Sequence, residues 1–321
     1  NLFSSTKIAT IFLDRDLRIK KYTPTAADVF HLLPADLGRP LADLASHFFE
    51  GSIIPDLRAV LETLQSTEKE RRLAESESFY LVRLLPYRTL ANRIEGVIMT
   101  LTDITERRRI ESVIRTRARQ QEGIAGFGQF ALAESDLQTV YMRSVQVVAA
   151  TLDVTRVRIF ARDKTGQMGV QAQFGEAGRD GVVASVESER PTLLEWVLSK
   201  HIPVSVLDMR TEDRFTNFGP QFGEEFVSGM CCPIAGPDDQ PIGAILTASS
   251  VPRAFTDDDL NFLRAMANIL AGAIRRKQDF DTCQESEAKF RATFEQAAAG
   301  FGHLSPEGNW ILVNDWLCDL L

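Results

Sequence analysis

The pattern of apolar and polar positions changes abruptly at Thr100-Leu-Thr-Asp-Ile-Thr-Glu-Arg-Arg-Arg-Ile-Glu111. Before it, Ile94 to Leu101 is rich in β-branched and large apolar residues and predicts a strand. After it, Glu106 to Glu122 holds mostly good helix formers, with Ile110, Val113 and Ile114 on one side, and predicts a helix. Asp103 or Thr105 can accept hydrogen bonds from the free N–H groups of the first turn, and Glu106 complements the helix dipole there. The pattern therefore joins a globular domain, strand end to helix start, to whatever follows. A joint of that kind can carry force or torque.

Upstream, Ile8 to Leu13 predicts a strand, Asp14-Arg-Asp16 a turn, and Leu17 to Tyr22 a second strand with alternating faces. Thr23-Pro24 opens a helix through Phe30, with Thr23 as N-cap and Pro24 at the first helical position. Gly38-Arg-Pro40 breaks the chain, and Leu57, Val60, Leu61 and Leu64 have helical spacing. Lys69 to Ala74, Phe79 to Arg88 and Ile94 to Thr102 predict three closing strands. Two strands, several short helices and three more strands make an α+β sheet with helices on one side.

Downstream, Arg115 to Gln121 is basic and polar, and Gly123-Ile-Ala-Gly-Phe-Gly128 is expected to loosen the linker. Leu137, Val140, Tyr141, Ser144, Val147 and Val148 then predict a helix on a new core. Val154 to Ala161 and Val170 to Phe174 read as strands around a turn at Asp163-Lys-Thr-Gly166. Leu193 to Leu198 reads as a helix, and Pro203 to Leu207 and Ser228 to Ile234 as strands. Pro237 to Gln240 turns into a strand from Pro241 to Ala248. Thr256 is the predicted N-cap of a long helix with acids in its first turn. In that helix Leu260, Leu263, Ala267, Leu270 and Ile274 form a heptad seam suited to a partner helix. Phe280, Cys283, Glu287, Phe290 and Phe294 resume the rhythm in another phase, a place for a helix pair to switch register. The first half also reads as its own domain's packing helix.

Composition narrows the function. At 321 residues the chain is long enough for two domains or slightly more, and 44% hydrophobic residues can fill sizeable cores. A net charge of −8 argues against general nucleic-acid or anionic-lipid binding. No apolar run approaches a membrane span, so a cytoplasmic location is expected. No signal peptide is visible, and Asn1 is not a natural start, so upstream sequence is expected. Cys231, Cys232, Cys283 and Cys318 lack metal-ligand spacing and fit a reducing compartment. There is no phosphate-cradling glycine loop, no metal-spaced cluster and no Gly-x-Ser-x-Gly elbow, so no catalytic residue is assigned.

Ile8 to Asp14, Tyr80 to Arg88 and the closing Asp103-Ile-Thr-Glu-Arg107 resemble a PAS domain over about residues 1–108. More narrowly, they resemble the PAS type that follows the methyltransferase in chemotaxis methylesterase/methyltransferase fusions and that recurs in hybrid sensor kinases. The domain has no cysteine for a flavin adduct of the LOV type. The helix from Leu57 to Leu64, where the family's haem ligand would sit, has no histidine, while His31 and His47 lie earlier, so no cofactor is expected. A helical linker is expected over 109–122. Val157 to Phe160, Gly229 to Ile234, Pro241 to Ile245 and Arg253 to Leu260 resemble a GAF domain, placed at 123–275. Neither Cys231 nor Cys232 is followed by the histidine of a bilin site. A GAF-related family reduces methionine sulfoxide with cysteines, which makes Cys231 and Cys232 redox candidates, although an apolar strand favours inert buried thiols. A helical connector is expected over 276–296. Glu287 to Phe294 and Gly300 to Asn314 resemble the opening of a second PAS domain, truncated over 297–321, with a hairpin turn at Pro306 to Asn309 and Asn314 capping the next helix. That last segment is expected to be poorly packed.

The resemblance implies a PAS–GAF–PAS input module of a bacterial two-component sensor histidine kinase, with the output domain elsewhere in the parent chain. None of His31, His47, His201 and His303 sits in a kinase phosphoacceptor setting. A homodimer through the helical linkers is the expected assembly. Asp103, Ile104 and Thr105 are the expected signal-transfer junction. The alternatives are the sensory tail of a chemotaxis methyltransferase fusion, a regulator of a diguanylate cyclase, a thiol-dependent methionine-sulfoxide reductase, and a ligand-free scaffold.

Overall fold

The computed structural model describes residues 8–45, 49–74, 77–88, 93–162, 166–175, 190–218, 226–237, 240–297 and 299–320. The chain divides into two compact units, Asn1–Thr116 and Arg117–Leu321.

In the first unit, β1 (Ala9–Asp14), β2 (Ile19–Tyr22), β3 (Thr67–Arg72), β4 (Phe79–Arg88) and β5 (Ile94–Asp103) form one antiparallel sheet in the order β2-β1-β5-β4-β3. The helices α1 (Pro24–Phe30), α2 (Ala42–Ala45) and α3 (Ile54–Thr63) lie between the second and third strands in sequence. The α+β order expected from the pattern is the one observed. Thr23 accepts the N–H of Ala26 and caps α1, with Pro24 in the first turn. The second strand starts later than its alternation suggests, because Leu17 takes a left-handed φ of 57°. Asp14 Oδ1 accepts the N–H groups of both Asp16 and Arg18, and so holds the tight turn open to that conformation. Ile11, Leu13, Leu57, Val60, Val82, Leu84, Val97 and Met99 are buried in one core on the helix side of the sheet.

The helix α4 (Thr105–Ala133) begins in the first unit, and its residues from Arg117 onward belong to the second. There, β6 (Arg156–Arg162), β7 (Met168–Phe174), β8 (Val204–Val206), β9 (Ser228–Ala235) and β10 (Pro241–Ser249) form an antiparallel sheet in the order β7-β6-β10-β9-β8. One face packs on α4, α5 (Leu137–Leu152) and α7 (Asp257–Glu295) through Phe127, Val145, Val148, Ile159, Met230, Ile245, Leu263 and Leu270. The other face, with Phe160, Cys231, Ala244 and Leu246, packs on α6 (Leu193–Lys200), Phe215 and Phe218. Thr256 and Asp259 form a reciprocal capping box at the start of α7, as the sequence predicts.

Two expectations need correction. Gly123 to Gly128 do not loosen a linker, since α4 runs through them unbroken. Burial of Phe127 and Ala131 holds the helix there, and a Cβ on Gly123 would stand 3.0 Å from Thr151 Oγ1, so that glycine permits close packing. Of the two readings of the heptad seam, the partner helix gives way to the domain's own packing helix: Leu263, Ala267, Leu270 and Ile274 are buried in that core, with Leu260 packed against it. The second half of α7 differs, leaving Phe280 and Phe290 exposed.

At the end, β11 (Gly302–Leu304) and β12 (Trp310–Val313) make a hairpin before α8 (Asp315–Leu320). Asn314 is fully buried: its Oδ1 accepts the N–H groups of Phe301 and Leu317, and its Nδ2 donates to the carbonyls of Phe294 and Ala299. Phe301, Trp310, Ile311 and Trp316 remain exposed. Asp163 to Thr165, Asp238, Asp239 and His47 lie outside the described residues.

Candidate functional site

The junction Asp103-Ile104-Thr105 is built by strand pairing. Tyr80 of β4 faces Asp103 of β5, so the chain leaves the sheet beside Phe79. Asp103 Oδ1 accepts the N–H of Thr105 at 2.8 Å, satisfying one of the free donors of the first helical turn. Ile104 is buried and donates its N–H to the Phe79 carbonyl at 2.8 Å. Thr105 Oγ1 accepts the Phe79 N–H at 2.9 Å and lies 3.5 Å from its carbonyl. All three residues thus fasten the start of α4 to one strand end. Arg108, one turn on, pairs with Glu70 and lies over the Phe79 ring at 5.3 Å. Burial, and behind it the Asp103 carboxylate, pushes the Tyr80 phenol up. A cleft of about 390 Å³ lies alongside, lined by Arg72, Phe79, Thr105, Arg108 and Arg109 among others.

The second candidate place is the α6-side face of the second sheet. Phe160 belongs to that face, and by strand alternation so do Arg158 and Arg156. Arg158 is 1% exposed and Arg156 7%, and Arg156 lies over the Phe226 ring at 4.8 Å. Across the sheet Arg158 pairs with Leu246 on one side and Gln173 on the other, and Arg156 with Ala248. The Gln173 Oε1 is buried and meets no hydrogen-bond donor among the described residues. Sequence reasoning passed over these arginines. Their alternation with Val157 and Ile159 reads as a solvent-facing edge, whereas this sheet is covered on both faces.

Adjacent residues of a strand point to opposite faces, and Cys231 and Cys232 obey this rule. Cys231 joins the α6-side core and Cys232 the α7-side core. Burial pushes the Cys231 thiol well up, and pushes Cys232 up to about 12 with Arg264 opposing in part. Neither has the exposed, electropositive surroundings of a reactive thiol, and the two cannot share a reaction across the sheet. His31 stands exposed as the left-handed residue closing α1. Among the described residues no group of histidine, cysteine and carboxylate side chains is arranged to hold a metal ion, and no helix is long and apolar enough to cross a membrane.

Residues 1–105 match the family model described as PAS domain, and residues 136–276 the one described as GAF domain. The chain carries a PAS domain followed by a GAF domain. Both are sensory modules, and their pairing supports a signalling input role. An uncharacterized 104.1 kDa protein from the hypE 3′ region of Rhodobacter capsulatus is 33% identical over 131 residues. That match covers 40% of this chain and 14% of the relative, so the chain spans a small part of its length. Among solved structures, the GAF domain of an Acinetobacter phosphoenolpyruvate-protein phosphotransferase is similar at 17% identity and TM-score 0.43, covering 50% of this chain and 95% of that one. The free methionine-R-sulfoxide reductase of Neisseria meningitidis, in complex with its substrate, is similar at 15% identity and TM-score 0.44, covering 51% and 92%. In these terms the junction closes the PAS domain, and the arginine face and both buried cysteines lie in the GAF domain.

Proposed function

We propose that this chain is the sensory input region of a bacterial two-component sensor histidine kinase, with PAS, GAF and the opening of a second PAS domain in series. The observation that carries the reading is α4. Its first turn is bonded to the end of β4 in the PAS domain, and its Phe127 and Ala131 are part of the GAF core. In this reading the region works in the cytoplasm as a homodimer and the PAS domain needs no haem, flavin or metal. A ligand or partner that binds one arrangement of a domain better biases α4 and α7 between two packings. Coupling of about 1–3 kcal/mol is enough to change output severalfold.

The test uses the full-length natural protein incubated with labelled ATP. The expected result is an acid-labile, base-stable phosphohistidine whose rate of formation changes severalfold in Thr105→Val. That variant leaves the Phe79 N–H without its acceptor, so the PAS domain should also lose about 1–3 kcal/mol of stability. Absence of any ATP-dependent label overturns the kinase assignment. An unchanged labelling rate in a folded Thr105→Val protein removes the junction from the relay.

A further inference from the structure

The buried residues of α4 are Gln120, Phe127 and Ala131, and the first that the helix brings to the GAF domain is the polar one. Residues 106–119 ahead of it are exposed. A buried amide is costly unless it is hydrogen-bonded, so Gln120 is favourable only where its partner is in place. That partner belongs to α7: Gln120 Nε2 donates to Asp259 Oδ1 at 2.8 Å. The second oxygen, Oδ2, accepts the Thr256 N–H at 3.0 Å and closes the capping box of α7. Each oxygen of this buried carboxylate thus serves a different helix, and the orientation of the acid that caps α7 is set from α4.

An outer pair stands beside it, with Arg117 Nε 2.8 Å from Asp258 Oδ2. Farther along, Arg276 Nη2 donates to the Ala131 carbonyl. The contacts run in the same order along both helices, so α4 and α7 lie parallel within the GAF domain and are fastened at both ends. Between the fastenings the packing is apolar: a Cβ on Gly123 would stand 3.4 Å from the Phe262 ring. A cleft of about 390 Å³ opens beside the first fastening, lined by Arg117, Gln121, Ile124, Asn261 and Ala265 among others. Long side chains therefore link the helices there. Apolar packing has no preferred direction, whereas a hydrogen bond weakens steeply as its angle falls toward about 120°. A small slide or rotation of α4 is felt first at Asp259.

We propose that Gln120 and Asp259, with Arg117 and Asp258 as the outer pair, form a latch through which the position of α4 sets the order of the first turn of α7. The latch rests on the relay reading above and deepens it by naming the place where α4 hands the signal to α7. The route runs helix to helix and does not pass through the GAF sheet. Gln120 is a positioning residue in it, acting through the capping acid of the next helix.

The test is amide hydrogen exchange of the full chain as wild type, Thr105→Val, Gln120→Met and the double variant. Thr105→Val disturbs α4 at its far end, where Thr105 accepts the Phe79 N–H. The amides to follow are Thr256, Asp259 and Leu260, which bond within the first turn and cap of α7. With Gln120 present, Thr105→Val should speed their exchange about fivefold or more. Once Gln120→Met has released them, Thr105→Val should have no further effect. A purely structural Gln120 would give additive effects instead. Additivity in the double variant, or no effect of Thr105→Val on these amides with Gln120 in place, overturns the latch. Should Gln120→Met fail to fold, Arg117→Gln replaces it, because that ion pair is largely exposed and adds little to stability. It should shrink the Thr105→Val effect at least about twofold, and an unchanged effect overturns the proposal. Exchange requires no ATP, so a missing phosphohistidine leaves this result standing, and the two readings fail separately.

Discussion

At the scale of single residues, the molecule places chemically promising groups where only one protonation state survives. Cys232 is 1% exposed, and burial raises its thiol to about 12. An unfolded thiol titrates near about 8.5. The sign follows: between those values the folded chain holds a proton that the unfolded chain has released, so stability falls as pH rises from about 8.5 toward 12, and below that window the group contributes nothing to the pH dependence. Replacing Cys232 with alanine should flatten the alkaline limb of the stability curve. At pH 8 a thiol reagent should label the exposed Cys283 and Cys318 quickly, and reach Cys231 and Cys232 only on unfolding, as read by mass spectrometry of the labelled peptides. Fast labelling of Cys232 in the native chain would contradict its burial and restore it as a redox candidate. Gln120, 4% exposed, is the polar counterpart: its Nε2 donates to Asp259 Oδ1 at 2.8 Å, and Asp259 also closes the capping box of α7. One carboxylate therefore holds both the start of α7 and the flank of α4.

At the scale of elements, the helix that carries the functional reading is also the one the sequence describes least well. Glycine in a helix interior costs about 0.5–1 kcal/mol relative to alanine, and α4 contains Gly123, Gly126 and Gly128. From local pattern alone three glycines argue for a break, but tertiary burial of Phe127 and Ala131 overrides them. Gly126 is exposed, and a Cβ there would meet nothing within 4 Å. Gly126→Ala should therefore stabilise the GAF domain by about 0.5–1 kcal/mol, seen as a rise in its melting temperature. A fall instead would mean that the helix needs a bend at this point. Strands were legible because β1, β4 and β5 alternate or run apolar between turn residues, and caps because Thr23, Thr256 and Asn314 have side chains that accept N–H groups. The arginine face was not legible. Whether Arg156 and Arg158 look at water or at a core depends on α6, Phe215 and Phe218, which come from far along the chain. The seam of α7 stayed open between a partner helix and its own core for the same reason: periodicity shows that Leu263 and Leu270 share a side, not what covers that side.

At the scale of the whole molecule, the apolar surface divides into two kinds with different consequences. Leu263, Leu270 and Ile274 are internal, so they act on stability at any protein concentration. Residues 106–119 of α4 are all exposed, among them Ile110, Val113 and Ile114 at helical spacing. An isolated helix of that length is marginal in water, since nucleation is costly and packing normally supplies the stability. A second copy lying along the stripe would supply that packing, which is where the proposed homodimer would form once the first half of the α7 seam, Leu260 to Ile274, is excluded. The stripe carries Arg107, Arg108, Arg109, Arg115, Arg117 and Arg119 against Glu106 and Glu111, so two copies side by side would repel at low salt. Association should therefore strengthen as ionic strength rises, the reverse of a contact held by ion pairs. The decisive comparison is sedimentation and melting of two variants. Leu270→Ala should lower the GAF transition by about 2–5 kcal/mol while leaving self-association as in the wild type, because it opens a core cavity. Ile110→Gln with Ile114→Gln should abolish concentration-dependent association and leave both cores melting as before. If Leu270→Ala were instead the variant that dissociates, the seam would be shared between chains, and the relay would run through α7 alone.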